Sequence, residues 1–567
     1  MKRLAPALVA FLALVTLTAR AQIPGRVSPR LIGFDVTEAT ISDMQLAMRH
    51  NRVTSKELVL QSFARLAFFK ALLNPSISLY YGAIEEAEQR DIERARGIIR
   101  GPLHGIPVAV KDNINTTFMP TTGGALAFAG YTPPYDATLV TNLRNAGAVI
   151  VAKTVMTELA NWVTNGMPGN YSAFGGYGIN PYDPRRDPRP GNDDGRPAMG
   201  VGGSSSGIGT AASLWAANVG TETSGSILSP SNANMLVGIK PTVGRISRWG
   251  IIPITADQDT AGPMARTVSD AALMLGAMEG ADPRDPATTR CSPPPGRDYE
   301  PFLRLTGLRG KRIGVPRAFY YDSIVLPGNT NPSGGLNAAQ AALMVQAIAA
   351  LRSEGAIVVD PANIPSVVDQ VRDNNNAVFG TCTGFKATDG ECSTVFKYGF
   401  KRDFALYLAS LGPTAPVKSL AELRAFNTAN AANGAIKYGQ VLLDTSDEMD
   451  LTADAGRYTR DRAKDLFLAD AHGIREAIRA NNLDALLFPG SSSAGIAARA
   501  GFPTVAVPFG FIPNAPTNPP FPAGFNAKDQ PYGVGFTGID CSEPTLIEIA
   551  YAFEQATRKR VAPAATR

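Results

Sequence analysis

The sequence predicts an α/β protein whose β-sheet is covered by helices. Residues 106–110 (IPVAV) form a short apolar run typical of a buried strand, and residues 148–153 (AVIVAK) form a second one. Between them, residues 138–145 have helical character. Strands without polar alternation that are separated by a helix are typical of a sheet buried on both faces.

The remaining elements follow the same alternation. Residues 22–100 are predicted to be mostly helical, and the helix at 54–65 begins with a capping-box pattern, Thr-x-x-Glu. Residues 177–203 are rich in Pro, Gly, Asp and Arg and are predicted to be mainly a loop, which ends in GGSSSG at 202–207 and is followed by an Ala-rich helical stretch. Further strands are predicted at 312–315, 485–488 and 504–507, and a helix-rich region at about 320–470.

The amino-acid composition limits the classes of protein and partner to be considered. The chain has 567 residues, 44% of them hydrophobic, which is ample for a buried core. Its 54 Lys+Arg and 49 Asp+Glu nearly balance, leaving a net charge of +5, and no cationic cluster contains interleaved aromatic residues. Nucleic acid is therefore not an expected partner.

The N-terminus has the pattern of an export signal. Lys2 and Arg3 precede an apolar run at 4–17, and Ala19-Arg20-Ala21 has small residues at both positions of an A-x-A cleavage site. We expect a signal peptide at 1–21, a mature chain from Gln22, and a periplasmic or extracellular location. No later apolar run approaches the roughly 18 residues that a membrane span needs.

The number and spacing of the cysteines and histidines argue against a zinc site. The four cysteines, Cys291, Cys382, Cys392 and Cys541, lack metal-ligand spacing, and three histidines lie far apart. No metal or cofactor is expected. In an oxidising compartment one or two disulfides are feasible, and Cys382 with Cys392 is the pair most easily closed.

The segment TETSGS at 221–226 suits a nucleophile and its oxyanion donors. Ser226 supplies a hydroxyl, and small residues leave the backbone N–H groups of Thr223, Ser224 and Gly225 free to surround an anion. The same letters also fit an ordinary polar turn.

Lys111 directly follows the first strand, where partial burial would favour the neutral amine that can act as a base. The loop GGSSSG at 202–207 offers hydroxyl partners for it. Together the three segments describe a relay in which Lys111 takes a proton from Ser204 while Ser204 takes one from Ser226.

These segments resemble the amidase-signature family. The resemblance extends beyond GPLHGIPVAVKDN, GGSSSG and GTETSGSI and covers essentially the whole mature chain; its further segments are MPTT at 119–122, GAVIVAKTVMTELA at 147–160, GIKPTVGRISRWGIIP at 238–253, DTAGPMARTVSDAA at 259–272 and GFPTVAVP at 501–508. Many matched segments in one order carry more weight than any single motif.

The resemblance implies a fold, a triad and an activity. The fold would be a mixed central sheet with helices on both faces, in an amidase domain at 22–567 whose signature core spans about 100–275. Lys111, Ser204 and Ser226 would form a Ser–cisSer–Lys triad, with a cis peptide bond before Ser204 and N–H groups of 223–226 as oxyanion donors. The expected activity is hydrolysis of a small-molecule amide through an acyl-enzyme, by a monomer or homodimer.

Three features depart from the family pattern. Ser204 and Ser226 are 22 positions apart where 24 is common, so Ser205 is an alternative bridging serine. The loop at 183–201 is longer than usual and fits either a rim of the site or a surface insertion. Leu228 stands where many members carry arginine, which resembles the peptide-amidase and acylamidase branch.

Other interpretations compete. GSSSG at 203–207 satisfies the nucleophile elbow of α/β-hydrolases, which would make Ser205 the nucleophile and His472 the base, but no strand is predicted before it. The glutaminase component of a tRNA-dependent amidotransferase would share the triad, and a non-catalytic binding protein would share the scaffold. His104, seven residues before Lys111, is expected to have a structural hydrogen-bonding role.

Overall fold

The computed structural model describes residues 33–567, so the predicted signal peptide at 1–21 lies outside the described residues. Eleven strands of the described part form one sheet. They are β1 Ser76–Leu79, β2 Pro107–Lys111, β3 Val149–Thr154, β4 Ala217–Glu222, β5 Val237–Lys240, β6 Thr260–Ala265, β7 Arg312–Gly314, β8 Ile357–Val359, β9 Ala485–Pro489, β10 Thr504–Ile512 and β11 Gln530–Thr537.

The sheet is mixed, as the resemblance implied. Its strand order is β1-β3-β2-β4-β6-β5-β10-β11-β9-β7-β8. Strands β3, β2 and β4 are parallel to one another, as are β9, β7 and β8, whereas the central strands between these groups run antiparallel. The parallel strands β2 and β4 therefore end at the same edge, where their last residues are Lys111 and Glu222.

Both faces of the sheet are buried, which explains the uninterrupted apolar runs. Val108 and Val110 pack into the largest core, whereas Ala109, between them, packs into a second core on the opposite face. The predicted fold class is confirmed.

Residues 33–567 contain ten longer α-helices. They are α1 Ile41–Arg49, α2 Ser55–Leu73, α3 Ala83–Ala95, α4 Thr138–Asn145, α5 Val268–Met278, α6 Ala338–Ser353, α7 Val395–Ser410, α8 Leu420–Ala429, α9 Ala455–Leu466 and α10 Glu543–Thr557. Shorter helical segments are Ile208–Ala211, Leu228–Ala233, Arg317–Tyr320, Pro365–Val368, Val441–Asp447, Phe467–Ile474, Arg475–Ala480 and Ala494–Ala500. Thr54 and Glu57 form the predicted capping box at the start of α2.

The stretch after GGSSSG is less helical than its alanines indicate. Only Ile208–Ala211 is helical, and the chain turns through Ser213, whose φ is +54°, before it enters β4. The Trp215 ring packs so closely on Gly209 that a Cβ there would lie 2.0 Å from it. This compact turn takes the place of a longer helix.

The long loop at 183–201 is irregular, as predicted, and packs on a second loop. The guanidinium groups of Arg185 and Arg189 lie over the rings of Phe525 and Phe521, at 4.2 and 4.8 Å from the ring centroids. The interpretation as a surface insertion fits this position better than a rim of the site.

Two disulfides are present in the described residues. Cys382 is bonded to Cys392, the pair favoured by spacing, and Cys291 is bonded to Cys541 across 250 residues. No helix of the described part is long and apolar enough to span a bilayer.

Candidate active site

Lys111, the last residue of β2, is fully buried at the edge where β2 and β4 end. Its Nζ lies 2.8 Å from Ser204 Oγ, 2.9 Å from Thr221 Oγ1 and 3.3 Å from the Thr221 carbonyl oxygen. Burial lowers the pKa of Lys111 to about 7, and the negative charges of Asp259 and Glu222 oppose this effect.

The three acceptor oxygens around Nζ suit the protonated amine, and a neutral amine can make the same three contacts in one orientation. A neutral amine has two N–H bonds and one lone pair, whereas the Thr221 carbonyl oxygen can only accept. If both N–H bonds point to Thr221, the lone pair of Nζ remains to accept the Ser204 hydroxyl hydrogen. The arrangement therefore suits a base that removes a proton from Ser204.

Of the two candidate bridging serines, Ser204 is the one beside Lys111. Ser205 Oγ instead donates to the Thr221 carbonyl oxygen at 2.9 Å and accepts from the Thr221 N–H at 3.1 Å. Both contacts hold Ser205 against the backbone of β4. The geometry leaves Ser205 no access to Nζ as a bridge.

The cis peptide bond that the resemblance implied before Ser204 is not found. The cis bonds in residues 33–567 precede Pro361 and Pro519, so the Gly203–Ser204 bond is trans.

Ser226 lies at the end of an open backbone turn. Its N–H and those of Thr223, Ser224 and Gly225 donate no hydrogen bond within the described residues, although the turn is mostly buried. Gly225 has φ +85°, a left-handed conformation that glycine adopts without strain. Four unpaired N–H groups beside a serine hydroxyl can stabilise a developing oxyanion.

Two carboxylates that the sequence patterns did not single out support this turn. Glu222 Oε2 accepts from the N–H groups of Ile227 and Leu228 at 2.7 and 2.9 Å, just after Ser226. Asp259 accepts from Thr223 Oγ1 at 2.5 Å and from the Ile254 N–H at 2.9 Å. Both lie in segments that match the family, TETSGS and DTAGP, but no local signal assigns them a task.

The turn opens into a cavity of about 330 Å³, which we call the reaction cavity. It is lined by Gly203, Ser204 and residues 223–226, and, from other segments, by residues 160–162, 164–166, Phe396 and Leu442. Ala160 and Asn161 in this lining belong to an unusual left-handed run, because Leu159, Ala160 and Asn161 all have positive φ values. Ser204 and Ser226 thus share one substrate-sized space.

The two conspicuous histidines lie elsewhere. His104 Nε2 contacts the Arg90 carbonyl oxygen at 2.9 Å, and burial lowers the pKa of His104. His472 lies between Asp369 and Glu476, at 3.0 and 2.9 Å. Because Ser205 is bound to β4 and has no contact with His472, the α/β-hydrolase interpretation is wrong.

Among residues 33–567, one cluster has the composition of a metal site, namely Cys382, Asp389 and Cys392. Both of its sulfur atoms are in a disulfide. A thiolate ligand is therefore lacking there.

Comparison with known proteins now defines the class: a hydrolase that acts on amides. The Amidase family model matches residues 57–547, and the chain belongs to this amidase-signature family. A probable amidase of Arabidopsis thaliana is 35% identical over 537 residues, covering 94% of this chain and 92% of that protein.

Solved structures place the chain in a peptide-amidase-like branch. The peptide amidase of Stenotrophomonas maltophilia is 37% identical, with a TM-score of 0.77 over 93% of this chain and 98% of that one. An amidase family protein of Bacillus anthracis is 30% identical, with a TM-score of 0.77 over 93% and 92% of the two chains.

The amidotransferase relatives are only partial. A glutamyl-tRNA(Gln) amidotransferase component of Rhodopirellula baltica is 37% identical over 277 residues, covering 49% of this chain and 52% of that protein. Because the amidase matches cover nearly the whole chain and these cover about half of it, the amidase interpretation is favoured over the glutaminase interpretation.

Proposed function

We propose that this chain is an exported amidohydrolase that cleaves carboxylic amide C–N bonds through an acyl-enzyme on Ser226. Ser204 would relay protons, and Lys111 would be the base. The observation that carries the proposal is the 2.8 Å contact between Lys111 Nζ and Ser204 Oγ inside a buried site.

Acylation begins with attack of Ser226 Oγ on the amide carbonyl carbon. The Ser226 proton passes to Ser204 Oγ while the Ser204 proton passes to the lone pair of Lys111 Nζ. The carbonyl oxygen becomes an oxyanion among the N–H groups of 223–226. The C–N bond then breaks, Ser204 protonates the departing amine, and Lys111 returns a proton to Ser204.

Deacylation reverses these roles with water as the nucleophile. Water attacks the acyl carbon and gives its proton to Ser204, and Lys111 again accepts the Ser204 proton. The bond to Ser226 Oγ breaks as that oxygen regains a proton. The sum is amide plus water to carboxylic acid plus amine, with the triad unchanged.

The proposed substrates are linear amides, including the C-terminal amides of peptides. The similarity to a peptide amidase over nearly the whole chain supports this class. A reaction cavity of about 330 Å³ has room for a short acyl group and its amine.

Export is proposed from the N-terminal pattern, and two disulfides support it. Disulfides form and persist in oxidising compartments. Expression of the complete chain in a bacterium with a periplasm should yield a periplasmic protein whose first residue is Gln22. A cytoplasmic protein that retains residues 1–21 would contradict export.

The catalytic proposal is tested on the mature protein with short aliphatic amides, anilides and peptide amides. Ser226→Ala and Lys111→Met should each lower kcat/KM by at least about 10³-fold on every hydrolysed amide. Lys153→Met is the matched control, because Lys153 is equally buried but bonds the Ile114 carbonyl and Thr121 instead of a site serine. Circular dichroism confirms that each variant is folded, and a folded Ser226→Ala protein with full activity would disprove the mechanism.

A further inference from the structure

A second chamber of about 230 Å³ adjoins the reaction cavity. Ala160, Thr223 and Ile254 line both spaces, so the oxyanion turn lies at the boundary between them. From there the chamber extends to α7, where Leu406 and Ser410 line it. We call this space the aromatic chamber, because Tyr135, Trp249 and Tyr407 line it.

The hydroxyl groups of its two tyrosines are already hydrogen-bonded within the protein, so neither needs a polar partner from a ligand. Tyr135 and Trp249 stack with ring centroids 5.3 Å apart. The Tyr135 hydroxyl bonds Ser410 Oγ at 2.5 Å, and the Tyr407 hydroxyl donates to Asn115 Oδ1 at 2.9 Å. Side chains of residues 251, 252 and 254, all isoleucines, add apolar surface. Trp249 Nε1 and Asn113 Oδ1, both buried in this wall, have no hydrogen-bond partner within the described residues. Such walls favour a group with an aromatic or apolar body and leave these two atoms able to bond a neutral polar atom of it.

The charged groups in the wall are matched within the protein. Arg248 pairs with Asp285 at 2.5 Å, and Asp403 pairs with Arg402 at 2.7 Å. Arg284 pairs with Asp282 at 2.9 Å.

Asp259 is the remaining charged residue of the wall. Its two carboxylate oxygens accept the hydrogen bonds from Thr223 and Ile254 that support the turn. Because every charge has a partner or a task, a charged ligand would find no free counter-charge, and an uncharged group fits best.

The position of Ser204 indicates which half of the substrate enters the chamber. Ser204 lines the reaction cavity but not the aromatic chamber. Under the proposed mechanism Ser204 protonates the departing nitrogen, so the amine lies on the Ser204 side of the carbonyl. The acyl group then extends the other way, past Thr223 and Ile254.

We propose that the aromatic chamber binds the aromatic ring of an uncharged arylalkyl acyl group, so that the preferred substrates are arylalkanoic amides. The volume agrees, since an engineered protein cavity of about 150 Å³ holds benzene and this chamber leaves room for a short linker. This inference deepens the proposed function and rests on it.

The test compares 3-phenylpropionamide with propionamide. Burying the phenyl group should raise kcat/KM about 30-fold over propionamide in the wild-type protein. Trp249→Ala should lower that ratio about tenfold, and Leu406→Trp should lower it by narrowing the outer end. Leu305→Trp is the matched control, because Leu305 is as exposed as Leu406, 67% against 66%, but lies outside the chamber.

An unchanged ratio in both Trp249→Ala and Leu406→Trp would overturn the proposal. So would a tenfold effect of Trp249→Ala on N-(2-phenylethyl)propionamide in place of 3-phenylpropionamide, because the ring would then belong to the amine.

Direct binding keeps the question separate from catalysis. Titration of 3-phenylpropionamide into Ser226→Ala should show a Kd that rises about tenfold when Trp249→Ala is added, and an unchanged Kd would overturn the chamber assignment. If the wild-type protein hydrolyses no amide of the panel but still binds 3-phenylpropionamide in a Trp249-dependent way, the proposed mechanism fails while the chamber assignment stands. If it hydrolyses other amides but not 3-phenylpropionamide, the proposed substrate preference fails.

Discussion

Lys111 Nζ lies 2.8 Å from Ser204 Oγ, while its other two contacts are both made to Thr221. No ion pair joins Lys111 to a carboxylate within 4 Å in the described residues. Burial lowers the pKa of Lys111 to about 7, so in the proposed mechanism Lys111 can act as the base without a histidine.

The pH dependence of the reaction should report Lys111. Burial lowers its pKa to about 7, so the neutral form dominates above that pH. kcat/KM should rise about tenfold per pH unit below pH 7 and level off above it. Stopped assays from pH 5 to 9 on one amide measure this, and a profile flat across that range would contradict Lys111 as the base.

The free energy of unfolding should also depend on pH because of Lys111, and the direction of the change can be derived. In the folded protein the pKa of Lys111 is about 7, below its usual 10.5, so between these values the unfolded chain binds the extra proton. The contribution of Lys111 to folding therefore improves as pH rises from 7 to about 10. Lys111→Met should be more stable than wild type at pH 7, by about 2–4 kcal/mol.

This gap should narrow as the pH approaches 10. Urea unfolding of both proteins at pH 7, 8.5 and 10 measures it, with Lys153→Met as a second buried lysine whose pKa is lowered to about 8, mainly by burial. A gap that stays constant with pH would show that Lys111 remains charged when folded.

Substitution should show that Ser204 relays protons and that Ser205 has a structural role. Ser204→Ala should lower kcat by at least about 10²-fold with little change in stability, because its hydroxyl is the contact of Lys111. Ser205→Ala should lower the free energy of unfolding by about 1–3 kcal/mol, because both hydrogen bonds between Ser205 and Thr221 are buried. Equal losses of kcat in the two folded variants would refute this division.

Asp259 should act as a positioning residue for both the turn and the base. It holds Thr223 at 2.5 Å, and its negative charge raises the pKa of Lys111 against the effect of burial. The acidic limb of kcat/KM in Asp259→Asn should shift to lower pH and kcat should fall.

The nearby charges must be considered in this test. The pKa of Asp259 is raised to about 7, mainly by burial and also by Asp403 on α7, while the hydrogen bonds from Thr223 and Ile254 and the charge of Arg248 lower it. Glu222 also acts on Lys111, whose pKa its negative charge raises. Asp257→Asn is the control, because Asp257 is in the same loop but bonds Arg402 and Tyr458. A loss of kcat with an unshifted pH profile would indicate a purely structural role for Asp259.

Much of the fold follows from local patterns, since strands such as β2 and β3 are uninterrupted apolar runs whose burial the sequence predicts. The insertion of β10 and β11 beside β5 depends on pairing across hundreds of residues, which no local pattern encodes.

Some residues of the candidate site could be predicted from the sequence, and others could not. Lys111 and Ser226 stand in distinctive segments, and the family resemblance favours Ser204 as their bridge. Glu222 and Asp259 acquire their tasks only because β4 and β6 pair with Glu222 opposite Thr260, which brings Asp259 beside Thr223. Trp249 likewise becomes meaningful only as part of a chamber wall.

The two disulfides should stabilise the protein unequally. A crosslink restricts the unfolded chain more when its loop is longer, and Cys291–Cys541 closes 250 residues whereas Cys382–Cys392 closes 10. On the chain-entropy estimate, removal costs about 5 kcal/mol for the first and about 3 kcal/mol for the second. Urea unfolding of the Cys291→Ser/Cys541→Ser and Cys382→Ser/Cys392→Ser proteins measures both losses. If removal of Cys382–Cys392 lowered the free energy of unfolding more than removal of Cys291–Cys541, then strain or residual structure, and not chain entropy, would determine how much these disulfides stabilise the protein.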